Sequence, residues 1–63
     1  MTLRFKRNLA FGKTFRFHQG DTARVEKIRP DGTIVFWPEK FPEVPFELKA
    51  KEREYVDLVG ESA

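Results

Sequence analysis

Histidine occurs once, at position 18, and cysteine does not occur. Zinc sites built from histidine and cysteine need several such ligands, so that chemistry is excluded. Nucleophilic catalysis of the Ser–His kind needs the two side chains in contact. The single serine, Ser62, stands in an expected frayed tail, far along the chain from His18. Glycines at 12, 20, 32 and 60 are too scattered to form a phosphate-cradling loop. Glu39 with Glu43, or Glu52 with Glu54, form carboxylate pairs on paper, but neighbouring surface glutamates are ordinarily plain solvated charges. The expectation is a non-catalytic chain with no metal, no cofactor and no small-molecule substrate.

Binding chemistry is better represented. Residues 1–30 hold eight Lys/Arg against two acids, Asp21 and Glu26, whereas residues 31–63 hold four Lys/Arg against eight acids. Such asymmetry marks a candidate basic face; the alternative is that the two halves interleave and neutralise each other across strands. Arg4 and Lys6 fall on the outward parity of one segment, Arg16 and His18 on that of a second, Arg24 on that of a third. Cations presented in register track a phosphate backbone, and rings beside them stack on bases. Trp37, Phe41 and Tyr55 are the candidate rings. Trp37 is opposite in parity to Ile34 and Phe36, so it should leave the main core, either to pack with Phe41 under a proline-rich loop or to anchor a protein partner. Phe11, between Ala10 and Gly12, is a further candidate for an exposed ring.

The elements that position these residues read as strands. Leu3 and Phe5, Phe15 and Phe17, Ala23 and Val25, Ile34 and Phe36, Phe46 and Leu48, and Val56 and Leu58 each alternate with their neighbours in period two. A buried set follows: Leu3, Phe5, Phe15, Phe17, Val25, Ile28, Ile34, Phe36, Phe46, Leu48, Val56 and Leu58. Asn8 to Gly12 and Gln19-Gly20-Asp21 read as turns. Pro30-Asp31-Gly32 predicts a tight hairpin joining 22–29 to 33–37. Val25 and Ile28 are three apart, which places a bulge near Glu26–Lys27. Pro38 to Pro45 carries three prolines and reads as an extended loop or an edge. Lys49 to Glu54 has room for one helical turn. No apolar run exceeds Ile34-Val35-Phe36-Trp37, against the ~20 residues of a membrane-spanning helix. A soluble, cytoplasmic chain without membrane contact is expected.

Phe17, the Gly20-Asp21 turn, Ala23-Arg24-Val25 and the following hairpin resemble the diverging turn and central hairpin of SH3 domains. Glu54-Tyr55-Val56-Asp57-Leu58-Val59 is similar to their last strand, with Tyr55 where those domains often place a binding-groove tyrosine. The resemblance covers residues 15–37 and 52–59. The Ala-Leu-Tyr-Asp-Tyr stretch and the paired tryptophans of signalling SH3 domains are missing, so it implies the barrel and not a polyproline groove. Residues 1–63 are therefore expected to form one all-β domain, a small SH3-like antiparallel barrel of about five strands with one short helical turn. Its expected function is that of a binding module for nucleic acid, through Arg4, Lys6, Arg16, His18 and Arg24. The alternative is a protein–protein or accessory module using Trp37, Phe41 and Tyr55.

Overall fold

The computed structural model describes residues 1–60, so Ser62 lies outside the described part. Seven strands form: β1 (Thr2–Phe5), β2 (Leu9–Phe11), β3 (Phe15–Phe17), β4 (Thr22–Ile28), β5 (Ile34–Pro38), β6 (Phe46–Leu48) and β7 (Val56–Val59). A 3-10 turn, Ala50–Tyr55, precedes β7. Five strands make one antiparallel sheet in the order β6-β5-β4-β1-β7, and β2 with β3 makes a separate hairpin. All pairings are antiparallel, as alternating half-buried segments require.

The chain is all-β as expected, but its strands do not close into a barrel. Strands β6 and β7 each pair on one side only, so the hydrogen-bonded ladder stays open. The inner face is covered instead by the β2–β3 hairpin, which lays its apolar side across the sheet. Leu9–Phe11 had read as turn because Asn8 and Gly12 flank it. Its three residues nevertheless pair with Phe17, Arg16 and Phe15.

All seven phenylalanines of the chain meet in one cluster between these layers. Phe5 stacks on Phe17 with centroids 4.7 Å apart, and Phe36 stacks on Phe46 at 5.8 Å. Phe11 meets Phe17, Phe36 and Phe46 edge-on, and Phe15 and Phe41 meet each other and Phe46. Edge-to-face geometry puts the positive ring edge on the negative ring face, adding about 0.5–1.5 kcal/mol per pair beyond burial. Two expectations fall here. Phe11 and Phe41 are half-buried members of the core, not exposed rings.

Of the expected core, Leu3, Phe5, Phe17, Ile34, Phe36, Phe46, Leu48 and Val56 are buried, with Phe15, Val25 and Leu58 half-buried against them. Ile28 is the exception, at 48% exposure. It lies past the bulge that shifts register between Val25 and Lys27, at the end of β4. Ala23, at the other end of β4, is buried between Leu3 of β1 and Pro38 of β5. Between β4 and β5, Thr33 donates its backbone N–H to the Asp31 carboxylate at 2.9 Å, and Gly32 adopts φ +92°. That is the tight turn expected of Pro30-Asp31-Gly32. Pro38 closes β5, where the ladder no longer needs its missing N–H.

Candidate nucleic-acid interface

On the outer face of the sheet, cross-strand register decides the charge pattern. Thr2 stands opposite Arg24 on one side and Val59 on the other, and Arg24 stands opposite Trp37. One step along, Arg4 stands between Asp57 and Thr22. Arg4 and Lys6 both turn to the Asp57 carboxylate, at 3.9 and 3.8 Å. Thr22 donates its hydroxyl to Glu39. Cations of the first half therefore meet carboxylates of the second, as they do again where Arg29 pairs with Glu47 at 2.9 Å. Such exposed pairs hold little energy but cancel the local field. Arg4, Lys6, Arg16 and Arg24 do not form one continuous stripe: Arg16 belongs to the hairpin, and Arg4 and Lys6 share the one Asp57 carboxylate, which offsets part of their charge.

Trp37 leaves the core, as its parity requires, and is half-buried on the outer face. Its indole N–H donates to Glu26 at 2.8 Å. The bulge makes this contact by placing Glu26 between two ladder positions, on the tryptophan's side. The satellite cluster of Trp37 with Phe41 does not form, because Phe41 turns inward to Phe15 and Phe17.

The β2–β3 hairpin is charged differently. No Asp or Glu occurs before position 21, so the stretch through β1, β2 and β3 contains cations only. Arg16 projects outward opposite Ala10, whose small side chain leaves room beside it. Lys13 sits exposed at the hairpin tip, beside Gly12 with φ +70°. Neither Lys13 nor Arg16 makes an ion pair among the described residues. A shallow groove of about 220 Å³ runs along Asn8, Leu9, Ala10, Arg16, Phe17 and His18. Asn8 fixes its rim by accepting the Gln19 backbone N–H at 2.9 Å.

His18 ends the hairpin and is exposed. Its backbone N–H donates to Asp21 at 2.8 Å, and its ring Nδ1 lies 3.9 Å from the same carboxylate. Lys40 also donates to Asp21, at 3.0 Å, and stands over the Phe17 and Phe41 rings. Asp21 titrates below the usual carboxylate value, mainly because of the His18 N–H; burial opposes this, and Lys40 adds a hydrogen bond and charge. Tyr55 is half-buried at the end of the 3-10 turn, and the guanidinium of Arg7 lies over its ring, 4.7 Å from the centroid.

The sequence singles out Arg16, His18 and Tyr55 but not Arg7 and Lys13, which flank the Asn8 to Gly12 segment and belong to no alternating run. The signal was available in the acid-free opening of the chain, which a count over the first half had diluted with Asp21 and Glu26. Among the described residues, no group of three or more His, Asp or Glu side chains converges to hold a metal ion. No helix there is long and apolar enough to cross a membrane.

Compared with known proteins, the chain matches no family model, no curated sequence and no solved structure. Class and function therefore rest on the placement of its residues.

Proposed function

We propose that this chain is an SH3-like, non-catalytic binding module that contacts the phosphate backbone of nucleic acid through its β2–β3 hairpin. The long hairpin after the first strand, the 3-10 turn before the last and the central β4–β5 hairpin support the SH3-like reading. One observation carries the functional reading: on the outer sheet face Arg4 and Lys6 share Asp57 and Arg29 pairs with Glu47, leaving Arg24 beside Trp37 unpaired, whereas the hairpin holds no acid and keeps both Lys13 and Arg16 unpaired among the described residues. A cation without a protein carboxylate is available to neutralise a phosphate, and the release of the nucleic acid's own condensed counterions supplies most non-specific affinity. Labelled single- and double-stranded DNA and RNA titrated at low salt test this reading. Binding should weaken with salt, and Lys13→Ala and Arg16→Ala should each reduce the salt slope by about one. No binding at any concentration would remove the nucleic-acid reading.

A protein partner is the second reading, and it uses a different surface. Trp37 is a half-exposed indole between Arg24 and Glu26, and aromatic rings within mixed charge are typical of protein interfaces. Trp37→Ala should then weaken a protein partner by about 2 kcal/mol while leaving oligonucleotide affinity unchanged.

A further inference from the structure

Arg7 follows β1 and is exposed. Among the described residues it makes no hydrogen bond and no ion pair; its contact is the Tyr55 ring. That ring is itself held in place. Tyr55 is half-buried, and its carbonyl accepts the backbone N–H of Lys6 at 2.8 Å, so the 3-10 turn is tied to the segment that carries Arg7. The two neighbouring cations, Arg4 and Lys6, are drawn away to Asp57. What remains is a guanidinium placed over an aromatic face with its N–H fork unused.

A guanidinium offers paired donors that match two oxygens of one phosphate, and an aromatic platform beneath it restricts its motion before the ligand arrives. Less freedom is then lost on binding. We infer that Arg7, placed over Tyr55, is the geometry-selective phosphate contact of this module, taking both non-bridging oxygens of one phosphodiester. Tyr55 is its positioning residue, while Lys13 and Arg16 contribute charge alone. The inference rests on the nucleic-acid reading given above.

The experiment is a salt-dependent titration of a labelled oligodeoxynucleotide with four variants. Arg7→Lys keeps the charge but loses the fork and the stack, so affinity should fall about fivefold with the salt slope unchanged. Arg7→Gln should lower the slope by about one as well. Tyr55→Phe keeps the ring and should bind like wild type, whereas Tyr55→Leu, which keeps the fork but removes the platform, should weaken binding at unchanged salt slope, by less than Arg7→Lys. Should Tyr55→Leu fail to fold by circular dichroism, Arg7→Lys decides alone, because that side chain is exposed. Inorganic phosphate added at constant ionic strength should not displace the strand; displacement would make this a free-phosphate site and overturn the assignment. Wild-type binding that Arg7→Lys leaves intact overturns this inference only. Failure of the wild type to bind overturns the nucleic-acid reading and this inference together.

Discussion

Asp21 joins three parts of the chain, two through its carboxylate and one through its backbone carbonyl. It accepts the His18 backbone N–H and the Lys40 ammonium, and its own backbone carbonyl accepts the Phe5 N–H at 2.9 Å. Its proton is held more weakly in the folded chain than in the unfolded one, where an aspartate titrates near ~3.9. The stabilisation from this carboxylate is therefore complete above that value, and is lost as pH falls from there through the lower folded value. Asp31 shifts in the same direction, chiefly through the Thr33 backbone N–H. Asp21→Asn should lower the melting temperature at neutral pH and flatten its fall below about pH 4. Parallel melting curves for variant and wild type, read at a series of pH values, would show that these bonds add no net stability. At this scale the sequence was half legible. Outward parity marks Arg4, Lys6, Arg16 and Arg24, but parity is local, and the Asp57 that two of them share arrives through β7, more than fifty residues further along the chain.

Turns set the register of the elements, and two glycines separate conformational need from space. Gly32 holds φ +92°, and a Cβ there would lie 2.8 Å from the Ala50 Cβ. Gly12 holds φ +70° with nothing within 4 Å. Gly12→Ala should cost only the left-handed backbone strain, about 1–2 kcal/mol. Gly32→Ala should cost more, because the alanine also presses the 3-10 turn away from β5. Chemical denaturation of the two variants checks the order, and equal losses would mean the turn shifts freely. Strand existence was legible because alternation of phenylalanine with Arg, Lys or Glu leaves no helical face. The Pro30-Asp31-Gly32 hairpin and the bulge after Val25 could be read for the same local reasons. Strand β2 was not legible. Its three residues have only Leu9 and Phe11 to alternate, and their burial depends on Phe36 and Phe46, which no local pattern can report.

One cluster of rings holds both layers of the molecule together. Phe36 is fully buried and touches Phe5, Phe11, Phe17 and Phe46. A domain of about sixty residues buries a smaller fraction of its surface than a larger one, so its stability margin is thin. Phe36→Ala removes contacts to both layers and should cost about 3–5 kcal/mol. Most of the population should then be unfolded at room temperature by circular dichroism, and an equally stable variant would contradict the central position of this ring. The strand order β6-β5-β4-β1-β7 has a further consequence, in time. Strand β1 lies between β4 and β7, so Thr2 pairs with Val59 and Phe5 with Val56. During synthesis β1 must wait for β7 before its second edge is covered. Pairings this distant in sequence also slow folding, because the loop between them must close before they contribute. Nascent chains arrested before Val59 clears the exit tunnel should remain protease-sensitive, and protection should arise in a single step once it does.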